Sequence, residues 1–512
     1  MKTFKRSGGI LLHPTSLPNE FGIGTLGREA YDFTDFLAKA GQTLWQVLPL
    51  GPTGPGDSPY QSFSAFALNP SMIDLQDFVE KGLIGHEDLA DARRKNTGIV
   101  DYAFVNTSRG DIFSKAYRAF CTTAPDADKI AFRTFEEKHH YWLDDYALFM
   151  AIKESLGGIP WYEWPDELRL RKPDALEKTG KELEERTAYH KFLQYVANCQ
   201  WMKLKSFANE KNIQIIGDIP LYVSYDSSDA WANPRVFILD KDLNPEMVAG
   251  VPPDFFSETG QLWGNVLFKW DYLKETGFEW WIKRVAHNLK LADIIRIDHF
   301  RGLVAFWAIP FGAETAIDGQ WIDAPAVELF EALGKKLGNL PIIAEDLGVI
   351  TPDVDAVREQ FNLPGMKILQ FAFDKSTANP YLPHFYTQNS VVYTGTHDND
   401  TVVGWYNELD SEDKLKLHRY LGNISTGIHW QMIRAAWASV SDLAVVPLQD
   451  VLGLGTTARM NVPGTLSGNW QWRYLDGQLH DEHACILSEL SKLFNRSCPE
   501  SEQKEEENSG GE

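Results

Sequence analysis

The sequence predicts an α/β protein: a closed (β/α)8 TIM barrel with large, mainly helical insertions on its C-terminal face and no separate C-terminal β domain. Three observations lead there. Eight short runs rich in Val, Ile and Leu, without polar alternation, recur along the chain. That pattern suits strands buried on both faces of a parallel sheet. Helical periodicity fills most intervals, as right-handed crossovers between parallel strands require. No GxxxxGK[ST] follows any run, which weakens phosphate-loop readings.

The eight runs are 9–18, 43–52, 213–220, 293–300, 341–348, 365–373, 390–400 and 442–450. A helix over 28–40 follows the first, 279–291 precedes the fourth and 326–337 precedes the fifth. After the fifth, Thr351 is placed as a helix N-cap with Pro352 at the first helical position. Helices over 411–421 and 429–440 separate the seventh and eighth runs, and an amphipathic segment, 481–494, closes the fold. The catalytic unit spans 1–498. Two intervals are too long for simple crossovers. Residues 53–190, with charged helical stretches at 128–157 and 172–211, read as an inserted helical subdomain. Residues 224–275 read as a substrate-covering loop region, because VAGVPPDFFSETGQLWGN (248–265) mixes Gly, Pro and aromatics. Insertions after barrel strands build the active-site face. The last segment, 499–512, has six Glu, one Lys and no hydrophobic residue, the composition of a disordered acidic tail.

Composition narrows the function. The 512 residues carry 49 Lys+Arg against 71 Asp+Glu, a net charge of −22 that repels nucleic-acid phosphate and anionic membranes. No run of ~18 apolar residues could span a membrane, and the N-terminal apolar run is too short for a signal-peptide core. Four cysteines form no CxxC pair and no disulfide framework, which indicates a reducing, cytoplasmic compartment. With 17 Trp, 18 Tyr and 29 Phe, the chain has rings beyond core needs, as sugar binding would use; most single rings are nonetheless expected in the core.

Three runs end in acids: Asp298 in RIDHFRG, Glu345 in IIAEDLG and Asp398 in TGTHDND. They fall on barrel strands four, five and seven, so they converge at the mouth although about 50 residues separate them. Glycoside chemistry needs such a set. One carboxylic acid protonates the leaving oxygen, and in a retaining enzyme a second carboxylate about 5–5.5 Å away attacks C1. The acid needs burial or a neighbouring negative charge to raise its pKa. Arg296, two residues before Asp298, lies on the same side of its strand and can hold that carboxylate. His397 and His299 are neutral donors suited to sugar hydroxyls. The plainer readings are strand-end anchors, fitting Asp346 and Asp400, or a Mg²⁺ or Zn²⁺ site. Arg296 would repel a cation, and no HxH or HExxH stands at these ends, so no metal and no cofactor is expected.

At these residues the chain resembles the amylomaltases, 4-α-glucanotransferases of glycoside hydrolase family 77 in the α-amylase clan. The resemblance covers about 8–497 and rests on GILLHPTSLP, QVLPLGPTG, GDSPYQSFSAFALNP, GDIPLYV, the 248–265 stretch, RIDHFRG, AEDLG, THDND, LGLGTTARMNVPGT and GNWQWR, in that order. It implies Asp298 as nucleophile, Glu345 as general acid/base and Asp398 as the acid that holds sugar hydroxyls and distorts the ring. It further implies substrate contacts from Ser58, Tyr60, Asp218, Asp254, Gln261, Trp263, Arg296, His299, His397 and Asn469. The implied partners are maltooligosaccharides and α-1,4-glucans, with glucose as acceptor, on a monomer or homodimer. Leu68 stands where the family often has Gly, and Leu303 where Phe is common after Arg-Gly.

The rivals are a plain α-glucan hydrolase, a noncatalytic glucan-binding protein on a degenerate barrel, and a metal- or Schiff-base-dependent barrel enzyme. Transfer requires an acceptor better placed than water, and the 248–265 stretch, with Phe255, Phe256 and Trp263, is the expected lid.

Overall fold

A computed structural model describes residues 4–497 except 55, 254–256, 375, 423–426 and 466. Each of the eight apolar runs contains or overlaps one parallel barrel strand. These are β1 (Ser7–Leu11), β2 (Leu44–Gln46), β3 (Gln214–Ile219), β6 (Ile294–Ile297), β9 (Ile342–Ala344), β10 (Gly365–Ile368), β11 (Ser390–Tyr393) and β12 (Leu443–Pro447). Apart from one half-buried and one exposed position, every residue of these strands is buried. The sheet runs β10-β11-β12-β1-β2-β3-β6-β9, so neighbours in space are successive barrel strands in the chain. Across the remaining seam the Ala344 N–H donates to the Pro364 carbonyl (3.0 Å), drawing β9 to β10. This is the expected TIM barrel.

The expected helices lie within two residues of their predicted bounds, at Arg28–Lys39, Glu279–Leu291, Ala326–Leu337, Pro352–Gln360, Ser411–Leu421, Ile428–Ala438 and Asp481–Leu493. Thr351 is the N-cap of Pro352–Gln360, with extended backbone but no side-chain capping bond. In the interval after β2 the long helices are Tyr102–Thr123, Asp126–Ser155 and Glu184–Glu210. The last runs beyond residue 190 and leads into β3. Its Gln194 amide grips the backbone of Leu68, accepting from the N–H (2.8 Å) and donating to the C=O (2.8 Å). Less than two turns further on, Gln200 accepts from the Asp74 N–H (2.8 Å). The helix thereby pins the loop that follows β2. Leu68 itself is buried, and it is not among the residues with positive φ, so no glycine-requiring turn exists there. Leu303 is fully buried as well.

The 224–275 stretch differs from the loop expected. It holds β4 (Met247–Val251) and β5 (Gln261–Val266), which join β7 (Ala305–Pro310) and β8 (Gln320–Asp323) in a four-stranded antiparallel sheet, β5-β4-β7-β8. The strands come from the intervals after β3 and after β6. The sheet therefore links two neighbouring barrel loops above the mouth.

Candidate active site

The site is assembled at the C-terminal ends of the barrel strands. On β3 and β6, Asp218 and Arg296 are register partners, so their side chains share one face. Arg296 Nη1 donates to both oxygens of Asp218 (2.8 and 2.7 Å), and Nη2 donates to Asp298 Oδ1 (2.8 Å). One buried guanidinium therefore orients two carboxylates. Burial opposes its charge, but Asp218 and Asp298 more than offset that and hold it well above its ordinary pKa. Burial pushes the Asp218 carboxyl up against the pull of Arg296. Tyr60 donates its hydroxyl to Asp218 Oδ2 (2.7 Å), and its N–H is taken by Ser58 Oγ (3.3 Å), a local turn that sets the ring's direction.

Glu345 follows β9 and meets the residue next to Asp298. The His299 N–H donates to Glu345 Oε2 (2.6 Å) and the Leu347 N–H to Oε1 (2.9 Å). The two acids thus belong to one pocket although 47 residues separate their numbers. Burial, and then the nearby charge of Asp298, push Glu345 up to about 8, against Arg296 and the two N–H donors. A carboxyl of that kind carries its proton at neutral pH and can give it away. Asp346 beside it is an anchor, as expected: it accepts from the Met366 N–H (2.6 Å) and pairs with Arg358 (3.3 Å). Gly365 makes this possible, since a Cβ there would overlap Asp346 Oδ2. Asp400 is an anchor too, accepting from the Thr401 N–H (2.7 Å) and from Thr456 Oγ1 (2.8 Å).

His397 and Asp398 follow β11. The His397 ring stacks on Tyr60 (5.1 Å between centroids) and lies 5.8 Å from Trp470, so both histidine and tyrosine are walled by the loop after β12. Asp398 Oδ1 accepts from Asn461 Nδ2 (2.6 Å). Across the mouth, Trp263 on β5 stands edge-on to the His299 ring (4.8 Å, 90°), and its Nε1 donates to Gln261 Oε1 (3.1 Å). Gln61, in the DSPYQS motif, donates to the Trp263 carbonyl (3.3 Å) and to Asn265 Oδ1 (2.9 Å), tying the loop after β2 to β5. His299 has left-handed backbone (φ 53°), and burial pushes its imidazole down to about 4, so the ring is neutral. Its Nε2 and the Tyr222 hydroxyl are buried with no partner among the described residues. Two such groups beside Trp263 suit a ligand rich in hydroxyls.

The predicted residues that the structure describes therefore converge at the mouth. Asp254 lies outside the described residues, as do Phe255 and Phe256. Asn469 does not present a free amide. It accepts from the Val462 N–H (3.0 Å) and donates to the Thr465 carbonyl (3.1 Å) and Oγ1 (2.9 Å), bracing its own loop. Sequence reasoning missed Asn461, Arg459, Tyr222 and His13. The last is buried near His397 and pushed down to about 3 by burial and that neighbour. Each sits in a motif already recognised, but its role depends on a partner from another strand's loop. Among the described residues no group of three or more His, Cys, Asp or Glu could hold a metal ion, and no helix is long and apolar enough to cross a membrane.

The family profile described as 4-α-glucanotransferase, glycoside hydrolase family 77, matches residues 12–478. The chain belongs to this 4-α-glucanotransferase family. A Synechocystis 4-α-glucanotransferase is 51% identical over 496 residues, covering 96% of this chain and 98% of the relative. The Thermus thermophilus 4-α-glucanotransferase is 48% identical, covering 96% and 99%. Among solved structures, the amylomaltase from Streptococcus agalactiae, determined in complex with acarbose, superposes with a TM-score of 0.94 at 42% identity, covering 96% of this chain and all of that one. The activity of the chain is accordingly that of a 4-α-glucanotransferase, on the barrel the sequence predicted.

Proposed function

We propose that Asp298, Glu345 and Asp398 carry a retaining double displacement on α-1,4-glucans. An oxygen of Asp298 attacks C1 of the donor sugar while the C1–O4 bond breaks, and the departing O4 takes the proton of Glu345. The product is a covalent glucosyl-enzyme and a shortened glucan. The 4-hydroxyl of an acceptor, a glucan or glucose itself, then attacks C1, the bond to Asp298 breaks, and Glu345 takes the hydroxyl proton. Asp398 holds sugar hydroxyls and favours the distorted ring. Tyr60, His397, His299 and Trp263 supply rings and donors around the sugar.

The observation that supports this reading most is the division of labour between neighbouring acids. Asp298 is ion-paired to Arg296 at 2.8 Å, while Glu345, held by the next residue's N–H, is pushed up to about 8. A nucleophile and an acid on one pair of strands need that asymmetry. Transfer over hydrolysis is supported by Trp263 on β5, whose ring stands edge-on to His299 beside the acids, where a bound glucan would displace water. The described cysteines Cys121, Cys199 and Cys485 stand unpaired, which supports the cytoplasm as its location.

Incubation with maltotriose and separation of products tests the proposal. The expected result is glucose plus a ladder of longer maltooligosaccharides; glucose and maltose alone refute transfer. Asp298→Asn is expected to lower turnover by at least about 10⁴-fold with the fold intact. Near-parental turnover removes Asp298 as nucleophile.

A further inference from the structure

We infer that Asn461 is a positioning residue for Asp398, acting with Arg459 as a clamp delivered by the loop after β12. The inference rests on the reading of Asp398 as the acid that holds the sugar. Asp398 stands on a loop beyond the end of β11, and its side chain is 45% exposed. A carboxylate in that position can rotate about two bonds. Holding the hydroxyls of a distorted ring requires it fixed within about 0.5 Å.

Four contacts from one short segment provide the fixing. Asn461 Nδ2 donates to Asp398 Oδ1 (2.6 Å), an oxygen that also lies 3.4 Å from His397 Nε2, and the Asn461 N–H donates to the His397 carbonyl (3.1 Å). Arg459 Nη2 donates to the Asp398 carbonyl (2.6 Å), while its Nε donates to the Asn461 carbonyl (2.7 Å). Backbone and side chain of Asp398 are thus held by two residues, which are in turn held to each other. Oδ2 takes no donor among the described residues, so the clamp leaves that oxygen for a ligand. The chemistry of the donor fits this task. A neutral amide fixes Oδ1 without bringing a positive charge against it, so the negative charge remains available to sugar hydroxyls and to the oxocarbenium-like transition state. The Arg459 guanidinium bonds only carbonyls here and leaves the carboxylate oxygens alone.

A double-mutant cycle on the full-length enzyme tests the clamp, with kcat and KM measured for maltotriose disproportionation and for an α-glucosyl fluoride donor that keeps slow variants measurable. Asn461→Ala is expected to lower kcat/KM about 10–100-fold, chiefly through kcat. In the Asp398→Asn background it is expected to cost less than about threefold more, because there is no longer a charged acid to place. Asn461→Asp keeps the shape and turns a donor into an acceptor. It is expected to be worse than Asn461→Ala in the parent, where two carboxylates would then face each other. In the Asp398→Asn background it is expected to be harmless, because the amide and the carboxylate have merely exchanged places and the hydrogen bond between them survives with its direction reversed. Losses that multiply, or an equal penalty for Asn461→Asp in both backgrounds, overturn the clamp and leave a merely structural loop contact. Should Asn461→Ala fail to fold, the isosteric Asn461→Asp comparison decides alone. Asp398→Asn by itself separates the two readings: near-parental turnover removes the role of Asp398, whereas a crippled Asp398→Asn with multiplicative Asn461 effects removes the clamp only.

Discussion

If Asp298 and Glu345 act as proposed, proton position at a single residue sets the pH dependence of the reaction. In the proposed mechanism Glu345 begins the first step protonated, and burial together with Asp298 pushes it up to about 8. Below that value the acid is in its active form; above it, the active form disappears tenfold per pH unit. The expected kcat/KM profile for maltotriose therefore has an alkaline limb with an apparent pKa near 8. Glu345→Gln should lower the rate about 10²–10⁴-fold and abolish that limb. A limb that persists unchanged in the variant assigns the proton elsewhere. At this scale much was legible in the sequence. Period alone places three acids at strand ends and Arg296 on the same side as Asp298, while their roles came from the family resemblance. The pairing of Arg296 with Asp218 was not legible, because it depends on the register between β3 and β6, residues 78 apart in number. The bonds of Asn469 were hidden for a similar reason: its motif is at the mouth, but its amide closes its own loop.

Among the elements, the helix Glu184–Glu210 does more than cross from one strand to the next. Gln194, fully buried, satisfies both polar groups of the Leu68 backbone, and Leu68 ends the loop bearing Ser58 and Tyr60. Gln194→Leu would leave a buried N–H and a buried C=O unpaired, at about 1–3 kcal/mol each. Chemical denaturation should show a loss of about 2–5 kcal/mol, with KM for maltotriose raised more than kcat is lowered, since Tyr60 is displaced and the acids are not. A variant within about 0.5 kcal/mol of the parent, a margin typical of exposed sites, discounts the staple. The eight barrel strands and most helices could be read because each follows a local period. The β5-β4-β7-β8 sheet could not. Its strands carry Gly and polar residues, and its pairs join segments about 60 residues apart, such as Gly250 with Trp307. Gly250 itself reads locally as a loop residue, yet it is required because a Cβ there would overlap the Gln261 carbonyl.

For the whole molecule, two populations of buried titratable groups act in opposite directions as the solution is acidified. Burial pushes His13 and His287 down to about 3 and His299 to about 4. These rings stay neutral in the fold while the unfolded chain takes up protons near pH 6.5, so each withdraws stability as pH falls, about 2 kcal/mol apiece by pH 5. Burial also pushes Asp229, Asp346 and Asp450 up to about 6, and Glu345 to about 8. The folded state binds those protons before the unfolded state does. Their ionisation therefore costs stability as pH rises towards the folded values, and acidification restores it, by about 1–3 kcal/mol each by pH 5. The two sets nearly cancel between pH 7 and 5, so Tm is expected to stay within a few degrees over that range. Below about pH 4 the unfolded carboxylates protonate as well and the gain stops growing, while the histidine loss continues until the rings charge near 3. Stability should then fall steeply. His287→Gln keeps a polar side chain facing the Phe66 carbonyl, which the imidazole meets at 2.9 Å, and should shift the acid transition to lower pH. Asp229→Asn keeps an acceptor for the Ala65 N–H, bonded at 2.8 Å, and should raise stability at pH 7 relative to pH 4. Thermal melts of the parent and both variants across about pH 3–8 check the signs. Equal slopes in all three would mean that acid sensitivity comes from surface charge, not from the groups the barrel has buried.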